Sequence, residues 1–300
     1  VRKSAITELP PDQARIEAAE FARENGLTER IVFKDGTVRE IRRLSPTGRP
    51  IYNKTFNLNS AKTISTDKVW EGGSSGLELN GAGTVVGIWD GGKVRTTHVE
   101  FEGRARLLDN ASELDDHGTH VAGTLGAAGL SGNAHGMANK SSIDCYDWDN
   151  DIAEIRSAAS QGLLISNHSY GYILGFDYND DKSRWEWWGD PEISETEEYL
   201  FGFYVEEASD LDKIAYDHPK YLHVKSAGND RGEGPAAGAT HYIWSNGSWV
   251  TSNAVRDLDG GNNGFDCMGS VSTAKNILAV GAVADIPGGY EQPSDVNLAS

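Results

Sequence analysis

The chain has 300 residues, 38% hydrophobic and 24% charged, an ordinary globular composition long enough for one large core or two modest ones. A formal net charge of −18 sets the surface against nucleic acid and anionic membranes. No stretch approaches the roughly 18 apolar residues that a membrane span needs.

Residues 1–56 read differently from the rest. Pro11 to Ala22 predicts a helix, with proline near its start and Gly26 as its stop. Ile31-Val32-Phe33 and Val38 to Ile41 flank Asp35-Gly36, a hairpin signal. This helix and hairpin read as an independent module or as the tail of a prosegment. Residues 57–80, rich in Asn, Ser, Thr and Gly, read as a linker or irregular lead-in.

From residue 84 strands and helices alternate. Thr84 to Trp89, Ser142 to Tyr146, Leu163 to Ser166, Tyr221 to Ser226 and Ile277 to Val283 predict strands. Helices are predicted from His117 to Ala128 and from Ile152 to Gln161. A longer helix is predicted from near Ser194, where Ser194-x-x-Glu197 is a capping box. Leu200, Phe203, Ala208, Leu211 and Ile214 keep its period, with Glu207 as a lapse. Such alternation implies an α/β fold, a mostly parallel sheet with helices on both faces.

In such a sheet ligands bind beyond the carboxyl ends of the strands. Three polar features fall there. Asp90 ends the first strand and is followed by Gly91-Gly92, His117 starts a helix, and Asn229 follows the strand ending at Ser226. A general base needs a near-neutral pKa and an acid that fixes its tautomer, roles that His117 and Asp90 fit. Small residues in Val121-Ala122-Gly123-Thr124 let that helix approach the sheet closely. Each feature alone has a plain structural reading, as turn former, helix-start histidine or αL turn residue. Their combination at strand ends points to chemistry.

Four blocks carry a resemblance: Val86-Gly87-Ile88-Trp89-Asp90-Gly91-Gly92, Asp116 to Thr124, Ile165-Ser166-Asn167-His168-Ser169-Tyr170-Gly171, and Ser226-Ala227-Gly228-Asn229. They resemble the successive signatures of the subtilisin-like serine proteases, over about residues 57–300. Gly91 stands where Ser or Thr is more usual. The resemblance implies a three-layer subtilisin-like fold, incomplete at the C-terminus, and an endopeptidase that hydrolyses protein and peptide substrates. It implies that Asp90 orients His117, and that His117 is base and then acid. Asn229 would be the oxyanion donor, and Ser169, Tyr170 and Gly171 an edge that pairs with substrate. His98 and His120 are expected to be structural.

The family's Gly-Thr-Ser-Met-Ala type nucleophile block does not occur, at Met137, Met268 or elsewhere. Gly281-Ala282-Val283 and Leu298-Ala299-Ser300 resemble the stretch before it. The serine is therefore expected roughly 50–80 residues further on, and this chain is expected to be inactive alone. The resemblance also implies a secreted zymogen, with residues 1–56 the end of a prosegment processed within 50–60.

Rival readings follow from other residues. His117 and His120 are i, i+3, not the i, i+4 pair of a zincin, so zinc is not expected and no cofactor is needed for catalysis. Structural calcium is the metal candidate, at Asp147–Asp151, Asp177–Asp181 or Asp257–Asn263. Trp185, Trp187 and Trp188 fit either an insertion packed on the core or the sugar-stacking face of a non-catalytic glycan-binding protein on the same fold. Cys145 and Cys267 leave both a disulfide and free thiols open. The five Asn-x-Ser/Thr sequons, from Asn53 to Asn246, are expected by chance.

Overall fold

The computed structural model of the chain describes residues 11–28, 30–32, 38–44, 50–54, 57–131, 134–179, 182–245, 247–261, 264–286 and 288–297. Helix α1 (Pro11–Glu24) starts at the predicted proline, whose missing N–H costs nothing in a first turn. Ala18 and Ala22, one turn apart on it, are fully buried. Strands β1 (Arg30–Val32), β2 (Val38–Leu44) and β3 (Pro50–Lys54) form an antiparallel sheet in that order. The two hairpin strands therefore pair, Val32 opposite Val38. The Asp35-Gly36 turn lies outside the described residues.

Residues 57–80 are not a plain linker. They form helix α2 (Asn57–Thr63) and a 3₁₀ turn at Thr66–Lys68. Long-range hydrogen bonds hold this segment: Ile286 N donates to Thr63 Oγ1 (2.9 Å), Lys68 Nζ to Tyr290 O (3.1 Å) and Trp70 Nε1 to Met137 O (2.9 Å). Local composition carries no sign of such partners.

The central sheet is parallel throughout. Its strands are β4 (Val85–Asp90), β5 (Ala105–Leu107), β6 (Ser142–Asp147), β7 (Ile165–His168), β10 (Leu222–Ser226) and β13 (Leu278–Val280), in the order β13-β10-β7-β4-β6-β5. Helix α3 (Asp116–Gly126) covers one face, where Ala122 packs with Ile88, Val94, Phe101, Ile143 and Cys145. Helices α4 (Asp151–Ser160) and α5 (Glu206–Asp217) cover the other, where Ile155, Leu211 and Ile214 pack with Trp89. Burial of these side chains supplies about 1.5–3 kcal/mol each. The three layers are those the alternation predicts. The chain reverses direction across the sheet at β4, so the carboxyl end of β4 is the switch point where ligands bind.

Three expectations need correction or completion. The helix predicted from Ser194 begins only at Glu206, and residues 194–205 are bends, a turn at 199–202 and irregular chain. Glu197 N does donate to Ser194 Oγ (3.3 Å), but Glu198 is buried and turns its carboxylate onto Leu200 N (2.9 Å). Gly202 then adopts φ 70° and its N–H donates to Met268 O, which ends any helical path there. The region around the tryptophans is a second sheet, of strands β8 (Phe176–Asn179), β9 (Arg184–Trp187), β11 (His241–Ser245) and β12 (Ser248–Ser252), ordered β12-β11-β9-β8. Both cysteines are free thiols, Cys145 buried in the sheet.

Candidate active site

The geometry starts from β4. Its last residue, Asp90, is 1% exposed, and its Oδ1 accepts both Gly91 N (2.8 Å) and His117 Nδ1 (2.7 Å). A carboxylate only accepts, so Nδ1 is the donor, and the tautomer this bond favours has its lone pair on Nε2. The His117 side chain is 58% exposed, so that nitrogen is open to a nucleophile.

The sequence builds this pair from two loops zipped together. Lys93 N donates to Glu113 O (2.8 Å) and Asp115 N returns to Lys93 O (2.9 Å). Thr119 Oγ1 donates to Asp115 O (2.7 Å) and accepts Arg95 N (2.9 Å). Asp115 caps α3 by accepting Gly118 N. Close approach of α3 rests on Gly118, Ala122 and Gly126 rather than on Gly123. A Cβ on Gly118 would lie 3.0 Å from Asp90 Cβ, and one on Gly126 2.8 Å from Ile143 Cδ1, whereas Gly123 faces open space. Lys93, Asp115 and Thr119 are positioning residues to which sequence patterns alone assign no role. Asp115 nonetheless carries a legible signal, an acid three residues before a helical glycine.

Asn229 lies at the same sheet end, after β10, with its side chain exposed. Gly228 before it takes φ 119°, where a Cβ would meet Asp230 Oδ2 at 2.5 Å, so only glycine fits. Ser169, Tyr170 and Gly171 leave β7 at that end too. Asn167 Nδ2 donates to Ser169 Oγ (2.9 Å), and Tyr170 OH donates to Asp151 Oδ2 (2.6 Å). Gly171 is exposed, as are Tyr172 and Ile173 beyond it. The hydrogen-bonded Asp90–His117 pair, Asn229 and the segment from Ser169 to the exposed Gly171 therefore share one rim of the sheet.

The model of the subtilase family matches residues 81–297. The chain belongs to the subtilase family. Proteinase T of Parengyodontium album is 44% identical over 69 residues, 21% of this chain and 22% of that protein. Alkaline protease 1 of Aspergillus clavatus is 40% identical over 123 residues, 33% of this chain and 28% of that protein. The chain thus spans 22–28% of the length of these curated relatives. Among solved structures, fervidolysin from Fervidobacterium pennivorans, a keratinolytic enzyme related to subtilisin, is 17% identical, over 84% of this chain and 45% of its own, with a TM-score of 0.35. The nisin leader peptidase NisP from Lactococcus lactis is 20% identical, over 59% and 50% of the two chains, with a TM-score of 0.36.

Beneath the rim this subtilase carries a buried polar cluster. His168 on β7 and His223 on β10 stack at 3.7 Å, and both are at most 3% exposed. Ser166 Oγ bonds His168 Nε2 (2.6 Å) and Tyr221 OH (2.5 Å), and Tyr170 OH lies 3.2 Å from His168 Nδ1. Burial pushes His168 well below the usual histidine range and His223 down to about 3, so both rings are neutral.

The remaining candidates resolve as follows. Asp90, Asp115 and His117 place ligand atoms within 4.8 Å of one another; Asp90 Oδ1 accepts Gly91 N and the imidazole and Asp115 Oδ2 accepts Gly118 N, while Asp90 Oδ2 is buried with no hydrogen-bond partner among the described residues. His120 is exposed on α3 rather than packed, and His98 caps a 3₁₀ turn by accepting Glu100 N (3.3 Å). Trp187 is buried under Arg256, whose guanidinium lies 4.1 Å from its ring. Trp185 packs edge-on to Phe176 and Tyr178, and Trp188 is exposed beside Trp249.

Proposed function

We propose that this chain supplies the acid, base and oxyanion donor of a secreted subtilisin-type serine endopeptidase acting on proteins and peptides. The observation that carries the reading is the buried Asp90 bonded at 2.7 Å to a His117 whose other ring nitrogen is open. His117 Nε2 takes the proton of a serine as it attacks the scissile carbonyl. Asp90 stabilises the imidazolium, and the same proton then passes to the leaving amine. Asn229 donates to the oxyanion, and the Ser169–Gly171 edge pairs with the substrate backbone.

The nucleophile comes from residues outside this sequence. One face of the sheet supports that reading. Ile88, Asn167, Val224 and Leu278 are successive cross-strand partners, so they share the face that α3 covers over β4 and β6. Toward β13 that face opens, leaving Leu278 and Val280 about half exposed (48% and 47%). A parallel sheet is normally covered on both faces. Residues 1–56 act in this reading as a prosegment removed within 50–60.

An activated ester tests it. The 300-residue chain should give no acyl-enzyme burst, whereas a version extended through the serine should give one. A burst from the shorter chain would overturn the assignment of the nucleophile.

Structural calcium belongs to the reading at one loop. Asp147 and Asp151 are committed to Asp149 N, Ile152 N and Tyr170 OH. Asp259, which accepts Phe176 N (2.7 Å), is buried near Asp230, Glu233 and Glu198, and burial with those charges pushes it up to about 8. A cation there would relieve the repulsion. Removing calcium with a chelator should lower the melting temperature reversibly, and Asp259→Asn should abolish that response.

A further inference from the structure

The pocket beside the Ser169–Gly171 edge, of ≈ 360 Å³, is walled by Trp148, Ile152, Tyr172 and Leu211, yet contains a buried cation. Lys225 on β10 is 3% exposed. Its Nζ donates to the backbone carbonyl of Tyr170 and lies 4.4 Å from the centre of the Tyr170 ring. That ring is fixed at its far end by the hydroxyl bond to Asp151.

A buried ammonium is costly unless it is held, and an inward position on a parallel strand ordinarily takes an apolar residue. Here the cation is held by one carbonyl, one aromatic face and the charge of Asp151. The carbonyl it grips belongs to the middle residue of the edge proposed above to pair with substrate.

We propose that Lys225 is a positioning residue for peptide binding: its charge holds the Tyr170 carbonyl, fixes the Ser169–Gly171 backbone, and so sets peptide affinity. The inference rests on reading that edge as the substrate strand. The groups facing Lys225 are Asp151 from α4, Glu207 from α5, His168 beside it on β7, which burial holds well below the usual histidine range, His223 on β10, and Tyr170 and Tyr172 from the edge. Burial lowers Lys225 to about 8, with Asp151 opposing. Burial also raises Tyr170 and takes Tyr172 up to about 12, and it lowers His223 to about 3, so these rings keep their protonation around pH 8.

Fluorescein-labelled oxidised insulin B chain, titrated with the 300-residue chain and followed by polarisation from pH 6.5 to 9.5, tests this. Binding should weaken about tenfold on passing pH 8, the scale of one charge-assisted hydrogen bond. Lys225→Met should bind about tenfold more weakly at pH 7 and show no inflection. Lys225→Arg should keep its affinity to pH 9.5, because a guanidinium does not deprotonate there. Melting curves check that each variant folds, and the inflection of the unsubstituted chain decides the matter should Lys225→Met unfold. Equal affinity of the unsubstituted and Met chains, or an inflection in both, overturns this inference alone. No binding by the unsubstituted chain overturns the substrate-edge reading and the inference with it.

Discussion

Replacing His117 by alanine in a version of the chain extended through its serine is expected to lower kcat by about six orders of magnitude, with little change in KM. That scale is the one known for removing the triad histidine of subtilisin itself. The physical reason lies in the pair described here. Without Nε2 the serine keeps its proton, and the buried Asp90, 1% exposed, has no imidazolium to stabilise. Asp90→Asn should cost less, about 10⁴, because the amide turns the ring into its wrong tautomer but leaves it in place. Asn229→Ala should cost about 10²–10³ if it is the oxyanion donor proposed above, the value measured for removing such a donor from subtilisin. Steady-state and burst kinetics on one activated ester separate the three. A His117→Ala enzyme within a hundredfold of the parent would refute the triad assignment.

Acid is expected to destabilise the folded chain through the stacked histidines. His223 sits at about 3 when folded and near its ordinary 6.5 when unfolded. Between those values the unfolded chain binds the additional proton, so stability is complete above about 6.5 and falls as pH drops toward 3. From pH 7 to pH 4 this one ring accounts for about 3 kcal/mol. His168 is lowered in the same direction by burial and by its neighbour's charge. Urea unfolding of the unsubstituted chain and of His223→Leu at both pH values isolates the effect. The variant should lose about 3 kcal/mol less between them, and parallel losses would sink the idea. The rings lie under Ser169 and Tyr170, so the proposed substrate edge should be among the first parts to loosen.

Much of the site is legible along the chain. A strand ending in Asp90-Gly91-Gly92 and a helix opening on Asp115-Asp116-His117-Gly118 are local patterns, and a parallel sheet has only one end at which strand-terminal residues gather. Local patterns mislead where a distant partner takes over. The helix onset lies at Glu206 rather than Ser194 because the buried Glu198 and the bond from Gly202 to Met268 outweigh a sound capping box. The lead-in at 57–80 acquires order from contacts more than 200 residues away, Thr63 with Ile286 and Lys68 with Tyr290.

The family and the three-layer plan therefore follow from the amino-acid sequence, as does the choice of Asp90, His117 and Asn229 as candidates, because each rests on a short block whose chemistry is local. Folding in three dimensions settles the rest. It brings Asp90 to 2.7 Å from His117, lets α3 approach the sheet over Gly118 and Gly126, and buries His168, His223 and Lys225 under the rim. Alternation along β7 and β10 predicts apolar residues at those inward positions. The protein instead places polar ones there, bonding His168 and Lys225 to Ser166, Tyr170 and, through Tyr170, Asp151, while His223 Nε2 is left buried without a partner among the described residues. Ser166 and Tyr170 neighbour His168 along the chain, but Tyr221, Asp151 and Lys225 reach them across 19 to 55 residues, and only folding brings those partners together.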